Sequence, residues 1–336
     1  MIISIIGVTG LVGTKIADLL DKRKFKINKF IPVASEDSYG KIFKFSSNDY
    51  KILTLETLEK SEIFTVENTT NTIIFFASST EISKTWIPRF MKYNKPNIKI
   101  IDNSSFFRLN KTVPLIIPEI NSREIDSETR LIANPNCSTA QLVMVLYPLH
   151  IKYKLKRVIV STYQSVSGAG NAGINQLNAE RINTTSRVPM AFNTKIDLNC
   201  IPLCDSLDPI TKYTKEEIKL QLETPKILND TINITATAVR VPVIGGHSES
   251  VNIEFYNDFN LDDVEDILNE FPGVTVKNTA YPLEVFNETD IWVSRIRRDT
   301  TQKNSLNLWI VADNLMKGAA LNAVQIAEHI QLSNKF

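Results

Sequence analysis

The sequence predicts an α/β protein in which a parallel-sheet domain is followed by an α+β domain with a mixed sheet. Two observations lead to this prediction. Short apolar runs alternate with helical patterns over the first 136 residues, which is typical of strands and helices that form a parallel sheet. Beyond residue 137 the pattern changes to strands, a glycine-rich loop and separate helices, which indicates a mixed α+β domain with a large sheet.

The predicted elements of the first domain follow in order. The run MIISIIG predicts a buried strand, GVTGLVG a turn and LVGTKIADLLDKR a helix. Further strands are predicted at FKINKFIPVAS, NTIIFFAS and IKIIDNS. SKTWIPRFMKY predicts a helix with Pro88 in its first turns, where a proline is tolerated.

The second domain is predicted from longer segments. LKRVIVSTYQSVSGAG predicts a strand that runs into a glycine-rich loop, and NITATAVRVPVIGGHSESVNIEFYN predicts two strands joined by a glycine turn. Helices are predicted at TKEEIKLQLETPKIL and LDDVEDILNEF, and strands at DIWVSRIRRD and SLNLWIVADN. The predicted domains are residues 1–136, to which a closing helix at 316–336 returns, and residues 137–315.

The composition is that of an ordinary globular protein: 336 residues, 43% hydrophobic, 22% charged, with a net charge of +1. The low charge and the lack of a long basic run argue against nucleic-acid or membrane-surface binding. Three cysteines without a paired pattern indicate a reducing compartment. The apolar N-terminus lacks a basic start and a cleavage site and is too short to span a bilayer, so a cytoplasmic protein is predicted.

The turn after the first strand contains three glycines: Gly7, Gly10 and Gly13. The dinucleotide fingerprint of Rossmann-type domains is G-x-G-x-x-G; here Thr9 and Val12 stand at its second and third glycines. A strand before and a helix after favour a turn whose N–H groups bind a pyrophosphate, against the alternative of an ordinary tight turn. Glu36 and Asp37 follow the second strand and favour NAD, because carboxylates repel a 2′-phosphate.

Cys137 lies between the stiff segment Asn-Pro-Asn and a long apolar stretch at helical spacing. Ser138 and Thr139 are candidates for the N-cap or first turn, and Pro148 predicts that the helix frays near Tyr147. A helix N-terminus stabilises a thiolate, so a nucleophile is one interpretation of Cys137. A buried cysteine that only packs is the other.

His247 follows two glycines between predicted strands, where an imidazole can approach a ligand and act as an acid or base. The alternative is an ordinary loop histidine. His150 and His329 lie near helix ends, where solvated or capping roles are expected. Cys200 and Cys204 lack the further ligands of a tetrahedral metal site, so no metal is predicted.

Three basic residues are suited to an anionic substrate: Arg108 in DNSSFFR, Arg240 in AVRVP and Lys219 in EEIK. Arginine forks bind carboxylates through two hydrogen bonds, although most single Arg and Lys residues are solvated.

Together these residues resemble the aspartate-semialdehyde dehydrogenase family, over essentially the whole chain. The segments that carry the resemblance appear in the family's order: IIGVTGLVG, DNSSFFR, PNCST, VSTYQSVSGAG, TKEEIK, VRVPVIGGHSES and VADNLMKGAALNAVQIAE. The resemblance implies a reversible, phosphate-dependent oxidation of L-aspartate 4-semialdehyde through a cysteine thioester, on the route to lysine, methionine and threonine. It also implies NADP as cofactor, with NAD possible, and a homodimer or dimer of dimers.

The resemblance implies a role for each matching residue. Cys137 matches the nucleophile, and His247 the acid–base catalyst. Gln164 matches the residue that orients the substrate, Arg240 the group that binds its carboxylate and Glu216 the group that meets its amine. Arg108 and Lys219 match the phosphate-binding pair. The residues that match the cofactor site are Gly7, Thr9, Gly10, Leu11, Val12, Gly13, Ser35, Ser38, Ser78, Ser79, Ser167, Gly168 and Asn314.

Two segments depart from the family pattern. In SEDSYGK, Asp37 stands where the family has an arginine that holds the 2′-phosphate of NADP, while Ser38 and Lys41 remain. In FASST, Ser79 stands at the place of a glycine beside the cofactor.

The predicted mechanism has N–H groups at the helix start after Cys137 stabilising the oxyanion. Three rival functions are weighed against it. N-acetyl-γ-glutamyl-phosphate reductase has an Asn-Pro-Gly-Cys-Tyr context, whereas Asn136 and Ser138 flank the thiol here. A Cys–His hydrolase needs no cofactor turn. A non-catalytic Rossmann-type scaffold would be expected to lose Cys137 or His247.

Overall fold

The computed structural model describes residues 1–65, 70–185, 188–333 and 335–336. The chain divides into two compact units, Met1–Pro135 with Ala319–Phe336, and Asn136–Gly318. Among the described residues, none of the helices combines the length and the apolar character that crossing a bilayer requires.

The first unit is built from a parallel sheet, a small hairpin and helices. Its strands are β1 (Ile2–Ile6), β2 (Lys29–Val33), β3 (Ile42–Phe45), β4 (Asn48–Lys51), β5 (Thr72–Phe76), β6 (Ile98–Asp102) and β7 (Leu131–Ala133). Its helices are α1 (Leu11–Lys22), α2 (Leu55–Glu59), α3 (Glu62–Thr65), α4 (Thr80–Met91), α5 (Pro118–Asn121) and, after the return of the chain, α10 (Leu321–Leu332). Short 3-10 turns occupy Glu36–Ser38 and Ser122–Glu124.

Five strands form the parallel sheet in the order β2-β1-β5-β6-β7, and β3 pairs with β4. Every residue of β1, β5 and β6 is buried, which explains their continuous apolar runs, since parallel strands are covered on both faces. The order reverses between β1 and β5, and ligands of open α/β sheets bind outside the carboxyl ends of strands at such a reversal. The loops after Ile6 and Phe76 are therefore the expected ligand edge.

The second unit contains a larger sheet. Its strands are β8 (Leu155–Gln164), β9 (Asn233–Arg240), β10 (His247–Phe255), β11 (Val274–Val276), β12 (Ile291–Arg298) and β13 (Ser305–Ala312). Its helices are α6 (Cys137–Tyr153), α7 (Gly170–Arg181), α8 (Lys215–Leu228) and α9 (Leu261–Glu270), with a 3-10 turn at Val166–Ala169. A π-helical turn at Met316–Ala320 leads toward α10.

The six strands of this sheet have the order β11-β12-β13-β10-β8-β9, with parallel pairs at both edges and antiparallel pairs between. The predicted α/β class, with a parallel sheet followed by a mixed one, is confirmed. The two strands that flank the glycine turn do not form a hairpin; β8 lies between them.

The two faces of the mixed sheet differ. One face carries buried apolar side chains such as Val160, Val251 and Leu308, which lie opposite one another in adjacent strands. Helix α6 packs against β8, β10 and β13 of this sheet. The other face includes Tyr163, 37% exposed, whose ring lies 5.3 Å from that of Trp309. An alternating pattern of this kind is typical of a sheet with one face packed by its own unit.

Two local predictions are wrong. Pro148 does not fray α6, which continues to Tyr153; a proline deprives Met144 of a helical hydrogen bond, but buried neighbours such as Leu149 hold the helix by packing. Pro88 lies near the end of α4 and not in its first turns. The predicted glycine-rich loop after β8 is present; it contains a 3-10 turn and leads directly into α7.

Candidate active site

Cys137 is the first residue of α6, and Asn136 caps that helix. The Oδ1 atom of Asn136 accepts hydrogen bonds from the N–H groups of Ser138 at 3.0 Å and Thr139 at 3.1 Å. Ser138 and Thr139 are thus first-turn residues and not the cap. The prediction that N–H groups after Cys137 bind the oxyanion is wrong for these two, because the cap already occupies them.

The segment before Cys137 is held by two carboxylates of α8. The Asn136 N–H donates to Oε2 of Glu223 at 2.7 Å, and its Nδ2 donates to Oε1 of Glu216 at 2.9 Å. Both bonds are buried. The position of the residue before Cys137 is consequently fixed by a helix that lies far away in the sequence.

Gly318 lies directly against Cys137. A Cβ atom at position 318 would come within 2.8 Å of the Cys137 Cβ and 2.9 Å of its Cα. Only glycine permits this approach, and Gly318 belongs to the π-helical turn, a type of turn often found at functional sites. The sequence pattern predicts an ordinary helix over this segment and gives no sign of the contact with Cys137.

Gln164, Glu216 and Lys219 form one polar network. Nε2 of Gln164 donates to the Ser138 hydroxyl at 2.9 Å and to Oε1 of Glu216 at 3.1 Å. Nζ of Lys219 donates to Oε2 of Glu216 at 3.0 Å and to Asp205 at 3.1 Å. Burial alone would raise the pKa of Glu216, but the Lys219 ammonium and the hydrogen bonds hold it at about 2. Glu216 is therefore an ionised carboxylate.

His247, at the start of β10, is 0% exposed. The Ser165 N–H donates to its Nδ1 at 3.1 Å, and the Ser165 hydroxyl lies 3.0 Å from the same atom. Nε2 has no hydrogen-bond partner within the described part of the chain. Burial and the nearby Arg240 lower the pKa of His247 to about 3, so the ring is neutral.

Arg240 ends β9 beside this histidine. Its Nη1 donates to the Ser165 carbonyl at 2.7 Å, and its guanidinium lies 5.8 Å from the centre of the Phe192 ring. A Cβ atom at Gly168 would come within 2.6 Å of that Nη1 and 3.2 Å of the His247 Nε2. Gly168 therefore leaves room for both side chains.

Asn314 joins three segments of this unit. Its Oδ1 accepts hydrogen bonds from the hydroxyls of Ser165 at 3.1 Å and Ser167 at 3.0 Å, and from the Gly246 N–H at 3.1 Å. Asn314, which follows β13, thereby holds the loop after β8 and the loop before β10 in place.

A cavity of about 570 Å³ opens onto these groups. Its lining includes Glu216, Lys219 and Arg240, together with Phe192 and Asp205, which the sequence analysis did not single out. It offers two cations and two carboxylates, an arrangement that suits a small zwitterionic ligand. Asp205 and Phe192 come from an irregular segment, where no periodic pattern marks them.

The glycine turn of the first unit has the geometry that a phosphate ligand needs. Gly7 has a φ of +83°, and a Cβ there would lie 2.3 Å from the Ala77 carbonyl oxygen. A Cβ at Gly13 would lie 2.2 Å from the Gly7 carbonyl oxygen. Gly10 caps α1 without a side chain, so its backbone is open to close approach. These observations fit a dinucleotide.

Four further residues of the first unit that are matched to the cofactor site follow the carboxyl ends of β2 and β5. Ser79 caps α4, and the Ser78 hydroxyl is buried with no partner among the described residues. Ser35 precedes the 3-10 turn that ends at Ser38, and Asp37 lies exposed within that turn. The exposed Asp37 carboxylate disfavours a 2′-phosphate, whereas the hydroxyls of Ser35 and Ser38 can bond to ribose or phosphate oxygens.

Arg108 belongs to the first unit. Its Nε donates to the Asn134 carbonyl and its Nη2 to the Asn103 carbonyl, both at 2.8 Å. The guanidinium is therefore fixed at the carboxyl ends of β6 and β7.

The remaining histidines and cysteines lie elsewhere. His150 is buried near the end of α6, where it lies 3.1 Å from Asp230, and His329 contacts Lys335. Cys200 is exposed, and burial raises the pKa of the Cys204 thiol to about 11. Within the described ranges, no group of three or more His, Cys, Asp or Glu is arranged to hold a metal ion.

Comparisons with known proteins agree across the chain. Residues 2–128 match the family model described as "Semialdehyde dehydrogenase, NAD binding domain", and residues 146–317 match "Semialdehyde dehydrogenase, dimerisation domain". The aspartate-semialdehyde dehydrogenase of Rickettsia bellii is 42% identical over 339 residues, 98% of this chain and 97% of that protein. That of Helicobacter pylori is 40% identical, with 97% of each chain covered.

A solved structure is also similar. The crystal structure of aspartate semialdehyde dehydrogenase II from Vibrio cholerae, complexed with ASA, has a TM-score of 0.89 and 35% identity and covers 98% of both chains. The resemblance found in the sequence is confirmed. This chain belongs to the aspartate-semialdehyde dehydrogenase family.

Proposed function

We propose that this protein oxidises L-aspartate 4-semialdehyde reversibly to 4-aspartyl phosphate, with inorganic phosphate as second substrate. The observation that carries the proposal is a cluster of polar side chains in the second unit. A cysteine at a capped helix N-terminus, a buried neutral histidine, an arginine and an ionised glutamate all belong to it. These groups supply a nucleophile, a proton carrier and opposite charges for the two ends of an amino acid.

Cys137 is the proposed nucleophile. Its thiolate, favoured by the positive end of α6, adds to the aldehyde carbon and gives a thiohemiacetal. NADP⁺, which the glycine turn of residues 7–13 would hold, would supply the acceptor for the hydride of that carbon. A thioester on Cys137 results, phosphate oxygen then attacks its carbonyl carbon, and the thiolate leaves as 4-aspartyl phosphate forms.

His247 is the proposed acid–base catalyst. Its unpartnered Nε2 lies next to Arg240 and is the atom available to hold or move the proton on the substrate oxygen. With the Ser138 and Thr139 N–H groups already bound to the cap, His247 is also the better candidate to stabilise the oxyanion.

The rest of the proposed substrate site follows from charge. Arg240 binds the substrate carboxylate, Glu216 meets its ammonium group, and Gln164 orients the reacting carbon beside the thiol. Arg108 and Lys219 hold phosphate. Lys219 is already paired with Glu216 and Asp205, so phosphate has to compete for its ammonium group.

The proposed cofactor is NADP, with NAD possible because of Asp37. The glycine turn that binds its pyrophosphate comprises Gly7, Thr9, Gly10, Leu11, Val12 and Gly13. The other proposed contacts are Ser35, Ser38, Ser78, Ser79, Ser167, Gly168 and Asn314.

We further propose a homodimer, or a dimer of dimers, that works in the cytoplasm. Residues 146–317 match a family model for a dimerisation domain. The half-exposed aromatic face around Tyr163 and Trp309 lies within these residues and is a suitable contact surface. For the domains we retain the sequence boundaries, residues 1–136 with 316–336, and 137–315.

The test is nicotinamide reduction by the purified protein with L-aspartate semialdehyde, with and without phosphate, using NADP and NAD separately. Phosphate-dependent turnover that disappears in Cys137→Ala is expected, and circular dichroism should show that this variant folds. Turnover of N-acetylglutamate semialdehyde instead, or activity without Cys137, would reject the assignment.

A further inference from the structure

Glu249 is a buried acid that the proposed mechanism does not use. It is 0% exposed and lies on β10 two residues after His247, so both side chains project from the same face of the sheet. Its neighbours across the sheet are Thr162 on β8 and Ile310 on β13. Neither carboxyl oxygen makes a well-formed hydrogen bond within the described part of the chain.

The surroundings of Glu249 favour its protonated form. Burial raises the pKa of its carboxyl well above the usual range. The Gln141 side chain opposes that shift only in part, and the Glu216 carboxylate adds to it. A neutral carboxylic acid has an O–H group to donate, which a carboxylate lacks.

Gln141 is the polar side chain that acts on Glu249, and it belongs to the helix of the nucleophile. It follows Cys137 by four residues, which places both on one face of α6. It is 0% exposed, and its Nε2 donates to the His247 carbonyl oxygen at 3.4 Å. Its Oε1 is buried without a well-formed hydrogen bond from any described residue, so it needs a donor.

We propose that Glu249 and Gln141 form a carboxylic acid–amide link that positions the helix of Cys137 against the strand of His247. The Glu249 O–H donates to Oε1 of Gln141, and Nε2 of Gln141 donates to the His247 main chain. Gln141, one helical turn after Cys137, and Glu249, two strand positions after His247, are thereby joined in one chain of hydrogen bonds. Both are positioning residues, because neither touches the reacting atoms.

Burying polar atoms that lack hydrogen bonds costs free energy, and a pair of apolar side chains would fill the same space without that cost. The acid and amide are therefore better explained by the orientation that hydrogen bonds impose than by packing. This explanation predicts effects on catalysis that exceed the effects on stability.

The experiment compares Glu249→Met, Gln141→Met, the double variant and the conservative Glu249→Gln. Each Met variant should lower kcat about 10- to 100-fold, while KM for aspartate semialdehyde changes less than about threefold, because geometry and not substrate contact is altered. The double variant should be no worse than the poorer single variant, since the two residues form one link. Glu249→Gln should recover most of the loss. Val251→Ala, on the same face of β10, is the control, with a lower Tm but an unchanged kcat.

The kinetic arm rests on the proposed function, so a second readout is independent of it. The alkylation rate of Cys137 by iodoacetamide, followed by mass spectrometry of its own peptide, should fall at least about threefold in both Met variants. If the wild type does not turn over aspartate semialdehyde, alkylation alone decides. Normal kcat or alkylation in folded Gln141→Met, or additive losses in the double variant, would overturn the link.

Discussion

Substituting Gly318 with alanine tests whether close backbone contact fixes the nucleophile. The new Cβ would lie 2.8 Å from the Cys137 Cβ and 2.9 Å from its Cα, whereas non-bonded carbons pack at about 3.5–4.0 Å. Gly318 or Cys137 must therefore move by about 1 Å. A displacement of that size at a reacting group costs up to about 100-fold in rate, or about 2.7 kcal/mol in the barrier.

The assay is steady-state kinetics with aspartate semialdehyde and phosphate, together with thermal unfolding. A large fall in kcat is expected with little change in KM, since Gly318 is not among the proposed substrate contacts. Alanine has the higher helix propensity by about 1 kcal/mol, which offsets some of the strain in the measured stability. A wild-type kcat in Gly318→Ala, with an unchanged Tm, would refute the argument.

Three other predictions concern charge and assembly. The pKa of His247 falls from 6.5 to about 3 on folding, so between these pH values the unfolded chain binds a proton that the folded chain does not, and folding stability is lost as pH falls below about 6.5. In urea unfolding, His247→Asn should lose about 2 kcal/mol less unfolding free energy than the wild type between pH 7.5 and pH 5. Equal losses in the two proteins would contradict this. Asp205→Asn removes one partner of Lys219, so KM for phosphate should fall about twofold to fivefold in initial-rate assays, and a rise would argue against phosphate at Lys219. Trp309→Glu should give monomers by analytical ultracentrifugation if the aromatic face is the dimer contact; Leu332→Glu, at a position 86% exposed in the first unit, is the control and should not.

Much of the first unit could be predicted because its strands are buried on both faces. The runs around Ile3, Ile74 and Ile100 are continuously apolar and stand out from their surroundings. The hairpin of β3 and β4 was not predicted, since its half-exposed residues give no such run. Strand order also depends on pairing between distant segments, which local patterns do not specify.

Helix α6 shows where local rules fail. Pro148 predicts a break, yet buried residues on all sides of the helix hold it together, so packing overrides the local cost. Asn136 was overlooked as the cap because Ser138 and Thr139 are equally good capping types by sequence. This affects the proposed mechanism, because the identity of the cap residue decides which N–H groups of α6 remain free to bind a ligand.

The candidate site was predicted from short motifs that surround reactive residues. Cys137, Gln164 and His247 lie in such motifs. In the second unit the residues on either side of Cys137 are hydrogen-bonded to Glu216 and Gln164, and Ser165 is hydrogen-bonded to both His247 and Arg240. Gln141 and Glu249 were not singled out, because a polar residue in an apolar helix or strand reads as surface until its burial is known. The close approach of Gly318 likewise depends on contacts that sequence spacing does not reveal.

The bonds that hold the residue before the thiol have a consequence for folding. Asn136 is bonded to Glu216 and Glu223, which lie 80 and 87 residues farther along the chain. Contacts of such sequence separation form slowly, because closing the long loop between the partners costs chain entropy before the contact stabilises the fold. During synthesis a ribosome-bound chain that already displays Cys137 has yet to acquire α8, so Asn136 gains these two bonds only after Glu223 has been synthesised, about halfway through the second unit.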